Sequence, residues 1–382
     1  MLEASITQRL QTLEQQLNRC WLGHPEVVEA LQLCWMAKQH LMLYGAPGEG
    51  KTHVVKLLAK ALAGTTLFDI VLGPSTRPSD VFGDVSLAIW KQTDRVKYLT
   101  AGMAPAVNFL VLDEVGKADS RLLLGPLMGI INERTFRNGD TLDVCPLDTC
   151  IGMSNEIPND DAGGPSIRPF LDRFAQWFWL DPEPDDTLWV KVVTGAFEPA
   201  PTVELSRLEV QLVQAETQRV WRLFEQMPDP SVVEALTNLR AALREAGFTP
   251  SKRLGRWLMS LAAASAVRRG SDTILPEDLV VFANSVWRHP DERAAVRSAV
   301  LKVANPELEK AQAYRQAFQA TILKFPWNQL RQEITTAAQV NRDLQDLLGK
   351  AQRLAQTAAV AAITAEMQEA ATRVGRALSQ AF

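Results

Sequence analysis

The sequence predicts an α/β fold: a parallel β-sheet flanked by helices, followed by two helical regions. Three observations lead there. The apolar run Leu41-Met42-Leu43-Tyr44 enters a glycine-rich octapeptide, Gly45-Ala46-Pro47-Gly48-Glu49-Gly50-Lys51-Thr52, and a helix-like run from His53 to Ala63 leaves it. The stretch Asn108-Phe109-Leu110-Val111-Leu112 is apolar almost throughout and ends in Asp113-Glu114. Such a run suits a strand buried on both faces of a parallel sheet. From Thr187 onward the apolar spacing is helical.

Composition narrows the class. A chain of 382 residues holds two or three domains. With 47% hydrophobic and 22% charged residues it falls in the ordinary soluble range, and a net charge of −4 asks for neither nucleic acid nor an anionic membrane. No apolar run approaches the roughly 20 residues of a membrane span. The first residues, with Glu3, Gln8 and Arg9, hold no signal-peptide core. A cytoplasmic protein is expected. The four cysteines (Cys20, Cys34, Cys145, Cys150) form no C-x-x-C pair and there are four histidines, so reduced thiols are expected rather than a zinc site or disulfide framework.

The octapeptide is the full G-x-x-x-x-G-K-[ST] pattern in strand–loop–helix context. Its glycines allow positive φ and close approach, so successive N–H groups can face a phosphate, and the next helix adds its positive end. Lys51 then reaches the β- and γ-phosphates and the Thr52 hydroxyl takes a Mg²⁺ position. Upstream, residues 1–20 read as an amphipathic helix (Ile6, Leu10, Leu13, Leu17), broken at Trp21-Leu22-Gly23-His24 before a second helix, Pro25 to Gln39. That break is placed to flank an adenine base, or Trp21 and His24 simply pack. Leu22, Gly23 and His53 join Gly45 to Thr52 as candidate nucleotide contacts.

Leu67 to Leu72 reads as a strand. Residues 73–83 form a Pro/Gly loop with a short helical start at Ser79, and residues 85–90 and 96–99 read as a hairpin. In a parallel sheet, ligand groups gather at the C-terminal strand ends. Asp113 there would hold Mg²⁺, and Glu114 would polarise the attacking water. Ser120 to Asn132 reads as one helix and residues 133–147 as a hairpin turning at Asn138-Gly139. Asp148 to Met153 reads as a strand ending beside Asn155, whose amide either reaches the γ-phosphate or closes a turn. A loop at Gly163-Gly164-Pro165 precedes a short helix, Ile167 to Phe174, and a closing strand, Trp177 to Leu180. The Pro/Asp-rich stretch Asp181 to Asp186 is the expected domain boundary.

Helices are expected near 187–196, 204–226, 231–246, 250–269 and 276–288. The Ala/Gln-rich remainder, 291–382, spaces Leu330, Ile334, Ala337, Leu344, Leu347, Ala351, Leu354 and Ala358 by three or four residues. About 50 residues of unbroken helix span roughly 75 Å, so a folded-back bundle and a coiled-coil arm both fit.

These motifs together resemble an AAA+ ATPase. Residues Ser75 to Gly83 with Val85-Ser86-Leu87, Ile131 to Gly139, and Ser154 to Pro158 are similar to the MoxR family, in particular its RavA (regulatory ATPase variant A) branch. The likeness covers residues 1 to about 290 well. It implies a P-loop AAA+ core (1–184), an α-helical lid (185–290) and a C-terminal helical bundle (291–382). It implies Gly45 to Thr52 as Walker A, Asp113-Glu114 as Walker B and Asn155 as sensor 1. Arg173 is implied as the arginine finger given to a neighbouring subunit, with Arg168 the weaker candidate, and Arg253 as the sensor 2 arginine. It implies insertions at 84–98 and 133–147 that face a hexamer's pore, ATP and Mg²⁺ as ligands, a protein client and a von Willebrand factor A-domain partner. RavA carries a long inserted partner-binding domain that this chain is too short to hold. Three functions are weighed: a client-remodelling ATP motor, a slow nucleotide-gated scaffold, and a nucleic-acid motor. The third is disfavoured because Asp84 and Asp94 offset Lys91, Arg95 and Lys97.

Overall fold

The computed structural model describes residues 2–157, 166–181, 186–324, 334–354 and 358–381. The expected loop at 163–165, positions 182–185 of the expected boundary, Pro158 and Leu330 lie outside the described residues.

Helices α1 (Ala4–Cys20) and α2 (Pro25–Ala37) precede β1 (Leu41–Gly45), and α3 (Lys51–Ala61) follows the octapeptide. Strand β2 (Leu67–Val71), short helices α4 (Pro78–Phe82) and α5 (Leu87–Thr93), and β3 (Phe109–Asp113) come next. Helices α6 (Ser120–Leu124) and α7 (Pro126–Met128) lead to the hairpin β4 (Thr135–Asn138) and β5 (Thr141–Val144), then β6 (Thr149–Ser154), α8 (Arg168–Leu171) and β7 (Gln176–Leu180). The main sheet has the order β2-β3-β6-β1-β7, and every pair in it is parallel. Central strands β1 and β6 are buried at every residue, as the apolar runs require. The order sets β3, β6 and β1 side by side, so Glu114, Asn155 and the octapeptide emerge from three adjacent strands at one edge.

Helix α9 (Asp186–Val193) leads to the lid helices α10 (Arg207–Gln226), α11 (Pro230–Glu245) and α12 (Lys252–Arg268). A 3-10 segment, Pro276–Asn284, precedes α13 (Arg293–Ala304). Val296, Ala299, Val300 and Ala304 of α13 enter the main core, whereas Leu301 joins a second core. That second core is built by α14 (Pro306–Lys324), α15 (Ile334–Gln352) and α16 (Ala358–Ala381), through Phe318, Leu344, Leu348, Val360 and Met367. The C-terminal region is therefore a folded-back bundle and not an extended arm. Among the described residues no helix is long and apolar enough to cross a membrane.

Four local expectations are corrected. Residues 87–93 form helix α5, not a strand of a hairpin; only Val85 and Tyr98 bridge. Ser86 caps the helix by accepting from the Ile89 N–H, and Leu, Ala, Lys and Gln favour it. Leu87 and Trp90 are exposed, so no buried face enforces an alternating pattern. Ser120 to Asn132 is not one helix: Pro126 has no N–H to continue α6, so the chain restarts as α7 and widens into a π-turn at Gly129–Glu133. In the β4–β5 hairpin Asn138 pairs with Thr141, so Gly139 and Asp140 form the turn. Asn138 is occupied otherwise: its Oδ1 accepts from the Tyr98 N–H at 2.7 Å. The expected helix 276–288 is a 3-10 segment ending at Asn284.

The 84–98 segment and the hairpin form one unit. Lys97 Nζ donates to Thr141 Oγ1 at 2.6 Å, Arg95 pairs with Asp140, and Phe136 stacks on Phe82. Leu87, Trp90, Leu142 and Val144 stand exposed on it.

Candidate nucleotide-binding site

The octapeptide is shaped for an anion. Gly45, Gly48 and Gly50 all have positive φ (152°, 96° and 70°), a conformation that side chains resist. Gly45 is also sterically required: a Cβ there would lie 2.8 Å from the Leu180 Cβ of the adjoining β7. Ala46, Pro47 and Gly48 are exposed, and a Cβ on Gly48 would meet nothing within 4 Å, so the loop's outer face is open to a ligand. His53 is exposed in the first turn of α3, Leu22 is half-buried and Gly23 exposed.

Lys51 is 8% exposed and uses its three donors on Gly45 O (2.6 Å), Ala46 O (3.1 Å) and Asn155 Oδ1 (3.1 Å). Burial pulls its ammonium below the usual lysine value; Asp113, Glu114 and Glu49 oppose that. Asn155 in turn donates through Nδ2 to Glu114 Oε1 at 2.6 Å. A chain of hydrogen bonds therefore runs Lys51–Asn155–Glu114 across the three adjacent strands. Thr52 Oγ1 donates weakly to Met153 Sδ at 3.6 Å, and Asp113 Oδ1 accepts from the Glu114 N–H at 2.9 Å. Glu114 itself has φ 56°, a left-handed geometry costing a non-glycine residue about 1–2 kcal/mol. That turn ends β3 at Asp113 and opens the 3-10 turn that follows.

One functional candidate escapes sequence reasoning. Lys117 Nζ lies 3.2 Å from Glu114 Oε2, carried there by the 3-10 turn Val115–Lys117. The i,i+3 spacing is visible in the sequence, but not the turn that eclipses the two side chains. Trp21 Nε1 donates to the Glu49 carbonyl at 3.0 Å.

Arg173 and Arg253 are brought together. Burial lowers the Arg173 pKa first, the nearby Arg253 charge lowers it further, and Asp172 opposes both. Among the described residues Arg173 has no ion pair, and its buried Nε has no hydrogen-bond partner. Arg253, in the first turn of α12, lies 5.3 Å over the Trp257 ring. Arg168 is engaged elsewhere, 3.3 Å from Asp172 and 5.2 Å over the Trp177 ring.

A protein-family model described as the MoxR domain in the MoxR-vWA-beta-propeller ternary systems matches residues 8–215, more than half of the chain. The chain belongs to the MoxR family of AAA+ proteins. A second model, an AAA lid domain, matches residues 231–300. An uncharacterized protein of Methanocaldococcus jannaschii is 26% identical over 302 residues, 78% of this chain and 76% of its own. The chaperone MoxR1 of Mycobacterium tuberculosis is 24% identical over 306 residues, 74% of this chain and 76% of its own. A Cytophaga hutchinsonii protein solved as a candidate ATPase has the same fold, with a TM-score of 0.60 at 20% identity over 79% of this chain and 96% of that one. MoxR membership and the lid match agree with the sheet order, the loop and the helices described above.

Proposed function

We propose that this MoxR protein is a Mg²⁺-dependent ATPase, a hexameric ring motor that remodels or activates a protein client. The observation carrying the reading is the Lys51–Asn155–Glu114 chain beneath a loop with three left-handed glycines. The loop's N–H groups and Lys51 hold the phosphates, with Leu22 and Gly23 on the base side. Thr52 and Asp113 hold Mg²⁺, which when bound neutralises phosphate charge. Glu114 takes the attacking water's proton and Asn155 orients that water. Arg173 acts in the neighbouring subunit's site, since among the described residues no carboxylate of its own subunit holds it in an ion pair, and Arg253 reads the nucleotide from the lid side.

In this reading the chain divides into the core (1–184), the lid (185–290) and the C-terminal region (291–382), with α13 joining the last to the lid. The exposed Leu87, Trp90, Leu142 and Val144 meet apolar client segments at the pore. A von Willebrand factor A-domain protein is the partner, supported by the ternary systems in the matched family's description. The protein works in the cytoplasm, and its segments 75–83 and 131–139 ally it with the RavA-like branch.

A second reading, a slow nucleotide-gated scaffold, is favoured by one observation: both Glu114 oxygens are engaged, one by Asn155 and the other by Lys117. Phosphate release by the purified protein with Mg²⁺ and ATP, with Lys51→Ala as control and particle mass measured in parallel, tests the first reading. No ATP binding, or Mg²⁺-independent turnover, sinks it. Hexamers that bind ATP but turn over no faster with a client or A-domain partner favour the scaffold.

A further inference from the structure

We propose that Trp21 is a positioning residue for the phosphate loop: its indole holds the Glu49 carbonyl and thereby aims the Gly50 N–H at bound phosphate. The inference rests on the nucleotide reading above. Trp21 Nε1 donates to Glu49 O at 3.0 Å. A trans peptide is planar, so the Glu49 carbonyl and the Gly50 N–H point in opposite directions. Tethering the carbonyl to the α1–α2 joint turns the N–H to the far side, away from the indole. A flipped peptide would present a carbonyl oxygen to the phosphate where a donor is needed.

The tether has a reason to exist. Gly48 and Gly50 are both left-handed, glycine crosses between positive and negative φ readily, and among the described residues no backbone N–H bonds the Glu49 carbonyl, so the loop's own backbone does not fix the 49–50 peptide. Trp21, by contrast, is fixed. It is 7% exposed, its backbone N–H donates to Leu17 O at 2.8 Å, and its ring lies 5.3 Å from that of His24. The indole and the glycine are matched in size: a Cβ on Gly50 would lie 3.0 Å from Trp21 Nε1. Because Leu22 and Gly23 follow directly, one side chain ties the base-side segment to the phosphate loop.

Trp21→Phe keeps an aromatic ring and removes the donor; Trp21→Met is carried in parallel, since either variant that folds reports the loss. Calorimetric titration of the full chain with MgATP, magnesium tripolyphosphate and adenosine reads the effect. One neutral hydrogen bond contributes about 0.5–1.5 kcal/mol. Both phosphates are therefore expected to bind roughly two- to twelvefold more weakly, adenosine as before, with the melting temperature held. Phosphate affinities within twofold of the unmodified chain, or equal weakening of adenosine, overturn the inference and leave the nucleotide reading standing. An unmodified chain that binds neither MgATP nor tripolyphosphate overturns both.

Discussion

Asn155 hydrogen-bonds Glu114, amide nitrogen to carboxylate oxygen, at 2.6 Å, while its own oxygen accepts from Lys51 at 3.1 Å. A phosphate that draws Lys51 away from Asn155 therefore also alters the setting of Glu114. Lys51→Ala is expected to lose tight ATP binding. Glu114→Gln is expected to keep it and slow hydrolysis by about 10²–10⁴. Asn155→Ala should also keep binding but lower turnover. Nucleotide affinity and single-turnover rates for the three variants check this; equally weak binding by Glu114→Gln and Lys51→Ala would refute the division of labour.

Arg173 is expected to act in trans. Arg173→Ala should bind ATP nearly as the unmodified protein does and hydrolyse it roughly 10³–10⁵ more slowly. Mixing it with Glu114→Gln should restore part of the activity, because some interfaces then join a good Glu114 to a good Arg173. If subunits exchange and the mixture stays as inactive as either parent, Arg168 becomes the residue to test. Its contacts with Asp172 and Trp177 would then have to open first.

The C-terminal bundle should be dispensable for basal hydrolysis. A cut after Asn305 removes α14–α16 with most of the second core and leaves α13 seated against the main one. A cut at Pro290 would instead strip Val296 and Val300 from the main core, at about 1.5–3 kcal/mol for each side chain. Activity lost in a folded, assembled 1–305 chain would show that the bundle completes the site.

The 84–98 segment is expected to come loose in Gly139→Ala. Gly139 has φ 66°, and a Cβ there would lie 1.9 Å from the Val96 carbonyl oxygen, so the hairpin and segment must part. Trypsin should then cut faster at Lys91, Arg95 or Lys97, with basal hydrolysis retained. Cleavage at the unmodified rate would show that the two insertions are not held together in this way.

His40 should make the fold acid-sensitive. Its Nδ1 accepts from the Cys150 N–H, so Nε2–H donates to Ile131 O at 2.7 Å and the ring is neutral. Burial, with the Arg134 charge adding to it, holds its pKa well below 6.5. Below pH 6.5 the unfolded chain binds a proton that the folded one refuses, so stability falls as pH drops, by up to about 1.4 kcal/mol per unit. Unfolding midpoints of the unmodified protein and His40→Gln at pH 7.5 and 5.5 should show a smaller acid loss in the variant. An equal loss would remove His40 as the cause.

The sequence by itself determined the sheet and the loop. Runs such as Leu41–Tyr44 and Phe109–Leu112, bounded by turn residues and too short for a helix, suit strands buried on both faces, and glycines followed by Lys-Thr carry their backbone geometry within a few residues. Where no burial constrained the pattern, sequence reasoning failed: Leu87–Thr93 is exposed, so a local cap at Ser86 decided for helix, and Gly125-Pro126 broke a helix that apolar spacing alone had joined. Only the tertiary structure decided which groups meet. The parallel order β3-β6-β1 sets Asn155 between Lys51 and Glu114, although they lie 104 and 41 residues away in the chain. The fold of α12 against the core sets Arg253 near Arg173, and the α1–α2 joint lays Trp21 on Glu49. These are contacts between distant segments, fixed by strand order and helix packing, and no local periodicity encodes them.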